Sequence, residues 1–302
     1  MSDPAPFTPP TAEQLVEHLD AHPPATPSKW KRLWPLAPPA FGFGAYLAAP
    51  GWVTALILLA AVGGGIGWSA WRLRLARDRQ ERMRKVGELA MLRCHPEALR
   101  EAWRLIPESV EDPIVYGTLL MTTGRSLLEL RRDDAALACY ERLLQAAPKN
   151  HPAATHFGTL RAIAALFDDR LAEGDDALRK LRDEDERAAP AIRAGVAFAR
   201  LLQAARTYRV DELIAMGDAA IDTLRPMGVE AGYGYALMAW AHEQRRCQPR
   251  EYDDTASLAE RGRAWWRRAT TLLPAEAIAF RLPETRGLGA ALNPADDEVQ
   301  PA

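Results

Sequence analysis

From Leu33 to Trp71 the chain contains no Asp, Glu, Lys or Arg. That run is too long for a buried core helix, whereas about 20 apolar residues suffice to cross the hydrocarbon of a bilayer. Its most apolar part is Trp52-Val53-Thr54-Ala55-Leu56-Ile57-Leu58-Leu59-Ala60-Ala61-Val62, continuing to Trp71. Trp52 at one end and Trp68 and Trp71 at the other stand where interfacial rings are expected. Pro50-Gly51 divides the run into 33–49 and 51–71. Pro35, Pro38 and Pro39 sit at the start of the first half, where a first helical turn tolerates them. Basic residues flank both ends. Lys29, Lys31 and Arg32 precede the run. Arg72, Arg74, Arg77, Arg79, Arg82, Arg84 and Lys85 follow it, against only Asp78 and Glu81. Positive charge on both sides favours a transmembrane helical hairpin with both ends in the cytoplasm. The alternative is a single span over 51–71 with the N-terminus outside. A cleaved signal peptide fits poorly, because the apolar block begins only after 32 residues and is too long.

Gly63, Gly64, Gly65 and Gly67 lie inside this run, and Gly63 with Gly67 forms a GxxxG. With Ala60, the residues Gly63, Gly64 and Gly67 make a small-residue face against which another membrane helix would pack. After Trp71 the arginines read as a charged continuation of the same helix into a soluble domain, close enough to meet anionic headgroups.

Residues 1–32 form the proline-rich start, with seven prolines by Pro27. They read as a disordered cytoplasmic tail. The one helical signal there is Thr11, an N-cap candidate, followed by Leu15, Val16 and Leu19 on one face; a fraying turn is the expectation. The membrane anchor covers 33–75. Beyond it, Ala, Leu and Arg dominate and alternating β-branched runs are missing, which favours helix. The chain reads as all-α. Cys94, Cys139 and Cys247 are too scattered for a disulfide framework or a zinc site. Residues 283–302, with Gly287, Gly289 and Asp296-Asp297-Glu298, read as a flexible acidic tail.

Between these tails, helices are punctuated by proline or glycine, which calls for a search for a period. Leu120, Gly124, Leu127, Ala136, Tyr140 and Pro148 show the pattern: a small residue in a first helix, a small–aromatic pair in a second, and a closing proline. Helices that cross closely need a small side chain at the crossing and a bulky neighbour beside it. Gly158 lies 34 residues after Gly124, although Gly174 then stands where an aromatic is expected. Gly262, Trp266, Ala269 and Pro274 repeat the spacing, preceded by Tyr235, Met238, Ala239 and His242, with an insertion around 248–258. Further pairs are read at 81–92 with 96–106 and at 191–206 with 211–225.

These residues resemble the tetratricopeptide repeat, a 34-residue unit of two antiparallel helices. The resemblance covers roughly 81–275 and places a tetratricopeptide-like α-solenoid at 76–282. It implies a concave groove, lined by first helices, that grips a peptide or a partner helix. Carried onto this sequence, the groove residues are Met121, Arg125, Leu128, Thr155, Thr159, Trp240 and Glu243.

No catalytic arrangement is found. There is no GxxxxGK[ST], no GxSxG and no HExxH, and the acidic cluster from Asp168 to Glu186 lacks the EF-hand pattern. The arginine pairs Arg131-Arg132, Arg245-Arg246 and Arg267-Arg268 make no continuous stripe for nucleic acid. The expectation is a non-enzymatic, membrane-anchored interaction scaffold or assembly factor with no metal and no cofactor. The alternative is an accessory subunit of a membrane enzyme or transporter, held through the glycine-rich helix. The alanine- and arginine-rich usage suits a bacterial inner membrane, with the soluble domain on the cytoplasmic side.

Overall fold

The computed structural model describes residues 7–24, 51–147, 153–181 and 188–292. Among them all regular structure is helical, as the composition indicates. The chain divides into two compact units, one of Met1–Thr8 with Glu17–Ser126 and one of Pro9–Val16 with Leu127–Ala302.

Near the N-terminus, α1 spans Ala12–Ala21. Thr11 caps it: the Thr11 Oγ1 accepts from the Gln14 N–H at 3.3 Å, and the Gln14 Oε1 accepts from the Thr11 N–H at 3.0 Å. This reciprocal capping box satisfies two donors that a helix start leaves orphaned. Leu15 and Leu19 are fully buried while Val16 is exposed. The expected fraying turn is therefore a packed helix, and the disordered reading of the first 32 residues fails over 12–21. One reason is a stack in the first unit, in which the His18 ring lies 4.0 Å from that of Trp103, at 14°.

The longest element of that unit is α2, Gly51–Met91, 41 residues without a break. At 1.5 Å per residue it is about 60 Å long. Its C-terminal end packs on α3, His95–Ser109. Val86 is buried there with Ala98, Leu99, Ala102, Leu105 and Ile106, and Arg82 reaches Glu108 at 2.8 Å. Pro107 stands within α3 instead of ending it. The helix α4, Pro113–Glu129, starts with proline in its first turn, and the Asp112 carboxylate accepts from the N–H groups of Ile114 and Val115.

Among the described residues no helix is long and apolar enough to cross a membrane. The side chains of 51–63 and the whole of 33–49 lie outside the described residues. The hairpin is thus not supplied by the structure, although 51–71 does continue unbroken into the first repeat as the sequence suggested.

In the second unit the helices are α5 Asp133–Ala146, α6 Ala154–Phe167, α7 Leu171–Lys180, α8 Pro190–Arg206, α9 Val210–Met216, α10 Ala219–Leu224, α11 Ala231–Cys247, α12 Thr255–Leu272, α13 Ala275–Arg281 and α14 Leu288–Leu292. They stack as pairs. The first helices α6, α8 and α11 lie side by side, and each also packs on the second helix of the pair before it. This nearest-neighbour pattern is how helical repeats bury a face that a single pair leaves open.

The repeat itself is written in four turns. Arg93, Arg131, Asp169 and Tyr208 all adopt positive φ, between 54° and 60°. They stand 38, 38 and 39 positions apart (93 to 131, 131 to 169, 169 to 208). After each, the next residue's N–H bonds back five residues: Cys94 to Leu89, Arg132 to Leu127, Arg170 to Ala165 and Arg209 to Ala204, at 2.8–2.9 Å. A left-handed residue followed by this bond is the Schellman ending, which satisfies the last carbonyls of a helix. The residue whose N–H makes this bond, Cys94, Arg132, Arg170 or Arg209, is also the N-cap of the next helix, so the chain reverses in minimal length.

This period corrects the 34-residue register. Counted by 38 from Ala136, Gly174 falls at the small position of the second helix, not the aromatic one. A Cβ on Gly174 would lie 2.7 Å from the Leu166 Cδ2, and Leu166 is fully buried. Leu178 takes the place of Tyr140, and Ala162 that of Gly124. The last pair repeats the crossing: a Cβ on Gly262 would come within 3.5 Å of the His242 Cβ and 3.8 Å of the Ala239 carbonyl.

The tail also differs from expectation. Leu288 and Leu292 on α14 are buried, as are Ile278 and Leu282 just before it. The packed domain therefore extends to 292, and 293–302 lie outside the described residues.

Candidate interaction surface

Of the seven expected groove residues, Leu128, Thr159, Trp240 and Glu243 are buried, Met121 and Thr155 are half-buried, and Arg125 is exposed. Thr159 turns inward, its hydroxyl donating to the Thr155 carbonyl at 2.8 Å. Trp240 meets the Tyr208 ring edge-on, with centroids 5.8 Å apart. Glu243 receives the Arg246 guanidinium at 2.6 and 2.7 Å, and this pairing holds its carboxyl below the usual range despite burial. Leu128, Thr159 and Trp240 are thus core side chains and Glu243 is held in an ion pair, which leaves Met121, Arg125 and Thr155 as the accessible ones among the seven. Thr155 and Thr159 follow Met121 and Arg125 by 34 residues, whereas the turns of this chain recur every 38 or 39. Of the expected membrane-helix face, Gly64 and Gly67 are exposed, and a Cβ on either would meet nothing within 4 Å; the side chains of Ala60 and Gly63 lie outside the described residues.

The open surface lies elsewhere. A cleft of about 500 Å³ runs between α7 and α9 with α8 as its floor, lined by Asp175, Arg179, Arg200, Gln203, Arg209 and Glu212. Inside it the Asp175 carboxylate accepts from Gln203 at 2.6 Å and from Arg179 at 3.1 Å. Arg209 belongs to the turn: its guanidinium donates to the Thr207 hydroxyl at 2.9 Å and to both Glu212 oxygens at 3.0 and 3.1 Å. The turn one repeat earlier is built alike, with Arg170 reaching Asp168 at 2.8 Å and Glu173 at 3.6 Å. The sequence carries this signal as Arg170-x-x-Glu173 and Arg209-x-x-Glu212, and a search at 39 instead of 34 finds it. The cleft offers charges of both signs and the Gln203 amide, which suits a polar polypeptide segment.

A second feature closes the turn edge. The segment from α13 onward lies across three turns. Arg281, 6% exposed, meets Asp133 at 2.8 Å, and its guanidinium carbon lies 3.4 Å from the centre of the Phe167 ring. Glu284 meets Arg206 at 2.7 Å, and Arg131 covers the Phe280 ring at 5.4 Å. Nothing in the tail's composition announced this strap, because its partners lie far away in sequence.

The remaining reactive side chains have structural settings. Cys139 is fully buried, which pushes its thiol far above the usual range. His242 is buried, its Nδ1 has no hydrogen-bond partner, and burial lowers its basicity, aided by Arg261. Among the described residues no group of three or more His, Cys, Asp or Glu could hold a metal ion. Much of the acidic cluster is paired: Asp168 with Arg170, Asp175 with Arg179, Asp176 with Lys180; 183–186 lie outside the described residues.

Compared with family models, with curated proteins and with solved structures, the chain matches none.

Proposed function

We propose that the protein is a membrane-anchored helical-repeat scaffold, tetratricopeptide-like in plan, which holds a protein partner and performs no catalysis. The observation that carries this reading is the turn at Arg93, Arg131, Asp169 and Tyr208, repeated with one backbone geometry and one hydrogen-bond pattern. Stacked pairs of this kind present long, rigid surfaces suited to gripping polypeptide. The partner segment lies in the cleft between α7 and α9, with its acidic groups on Arg179 and Arg209 and its basic groups on Asp175 and Glu212. The uncharged run from Leu33 to Trp71 supports the anchor, by hairpin or single span, and the basic flank from Arg72 to Lys85 supports a cytoplasmic repeat domain at the inner membrane.

Affinity capture of the full chain from membranes, followed by mass spectrometry, tests this reading. The wild type should retain a protein that Arg179→Glu/Arg209→Glu loses. An identical set of retained proteins, or none, contradicts it.

The second reading is an accessory subunit held through its membrane helix. It is favoured by Gly64 and Gly67, which stand open on α2. In that case Gly64→Leu/Gly67→Leu dissolves a complex that the arginine variant leaves intact.

A further inference from the structure

On α2, Trp68, Trp71, Leu75, Arg82 and Val86 recur at intervals of three, four, seven and four, which places them on one face of the helix. The lower part of that face is covered. Val86 is buried, and Arg82 pairs with Glu108, next to the last residue of α3. Above that level α3 has ended, and the same face continues uncovered: Trp68 is 48% exposed, Trp71 52% and Leu75 41%. The two indole rings lie 5.1 Å apart and are tilted. From Trp71 to Arg82 the helix rises about 16 Å. An apolar face of this extent in water calls for a cover.

Charge selects the cover. Arg82, Arg84 and Lys85 are engaged with Glu108, Glu88 and Glu101. Arg74, Arg77 and Arg79, beside and just below the tryptophans, make no ion pair among the described residues. Arg79 shares this face and Arg74 borders it, so a second copy of α2 laid parallel along the face would bring arginine against arginine and be repelled. A bilayer surface has the opposite property. Indole rings settle at headgroup depth, and anionic headgroups attract guanidinium groups just outside them.

We infer that the stretch of α2 from Trp68 to Arg79 is a lipid-contact collar, in which Trp68, Trp71 and Leu75 enter the interface and Arg74, Arg77 and Arg79 bind anionic headgroups. It rests on and deepens the membrane-anchored reading, through the exposed Trp68, Trp71, Arg74, Leu75 and Arg77 and the half-buried Arg79. It holds whether the preceding helix crosses the bilayer or the chain lies on its surface.

The test uses the full chain in vesicles of phosphatidylcholine, alone or mixed with phosphatidylglycerol. The first readout is quenching of tryptophan emission by lipids brominated near the glycerol end of the acyl chains. The difference between wild type and Trp68→Phe/Trp71→Phe should be strongly quenched. The second is the association of spin-labelled phosphatidylglycerol relative to phosphatidylcholine. The wild type should prefer the anionic lipid, with up to about a fivefold contribution from each arginine. Arg74→Gln/Arg77→Gln/Arg79→Gln should bring the preference close to one. An unquenched difference signal, or a preference that survives the triple substitution, overturns the inference. Alkaline carbonate separates it from the broader reading. A chain released by carbonate that is nevertheless quenched loses its membrane span but keeps the collar; a chain that carbonate does not release, and that is not quenched, keeps its span and loses the collar.

Discussion

Both α2 and α11 carry tryptophan and apolar residues on more than one side, and they have opposite surroundings. From Gly234 to Glu243 every residue of α11 is buried, because α8, α9 and α12 enclose it. On α2, the residues from Trp68 to Leu75 whose side chains are described stand exposed, because its protein neighbour α3 ends near Arg82. A helix that is apolar all round requires an apolar environment, and composition alone does not say whether protein or lipid supplies it. The neighbours decide. This comparison places α11 in the core of the second unit and leaves the described part of α2 above Arg82 uncovered by protein, the face for which a lipid cover is proposed.

The largest effect that would break the comparison is on tryptophan. Trp240→Ala, at 3% exposure, should cost about 3–5 kcal/mol of unfolding free energy, read by urea denaturation and circular dichroism of the full chain. Trp71→Ala should change it by no more than about 0.5 kcal/mol. Similar losses at both sites would mean that α2 is packed by protein after all.

Next is the strap. Arg281→Ala leaves the largely covered Asp133 without its partner and uncovers the Phe167 ring, and should cost about 3 kcal/mol in the same assay, the usual result of breaking such an ion pair from one side. Replacing both partners by apolar residues of similar size should recover much of that loss. A smaller step is Gly174→Ala. The added Cβ is forced towards Leu166, so a loss of about 1–3 kcal/mol is expected from overpacking, although alanine is the better helix former. A gain in stability there would contradict the 38-residue register.

The gentlest test is pH. His18, His156 and His242 are all made less basic by burial, with His22 adding to the effect on His18. Folded values below the unfolded value mean that the unfolded chain binds more protons between the two. Stability from these groups is therefore complete above about pH 6.5 and declines as pH falls below it. Thermal melts from pH 7.5 down to 5 should show a gradual decline, and His242→Gln should flatten it. A rise in stability over that range would contradict the burial of these rings.

Much of the architecture was legible in the sequence, because helix-forming residues and small–large spacing act locally. The second helix around Ala136 and Tyr140, the Gly262 crossing and the Thr11 cap were all readable in that way. What was hidden depends on distance or on backbone conformation. Arg93, Arg131, Asp169 and Tyr208 share a left-handed φ but no residue type, so the period they mark cannot be seen as a motif. A 34-residue spacing then placed Gly174 at an aromatic position and extended the groove to Thr159, whose side chain is buried. The strap through Arg281 and Glu284 escaped because its partners, Asp133 and Arg206, lie many residues away. Asp175, Arg179 and the half-buried Gln203 look like ordinary surface polar groups until α7 and α8 bring them to one cleft.

The most direct measurement is thiol labelling at one position on each helix. Leu75→Cys and Ala239→Cys would each be placed in full chains carrying Cys94→Ser and Cys247→Ser, with Cys139 left buried, and treated with a water-soluble maleimide. The account predicts that Leu75→Cys reacts quickly without membranes and is protected by vesicles containing phosphatidylglycerol, whereas Ala239→Cys is protected in both conditions until the chain unfolds. A Leu75→Cys thiol that reacts equally fast with and without vesicles, or an Ala239→Cys thiol open in the folded chain, would contradict the division between a lipid-facing helix and a protein-packed one.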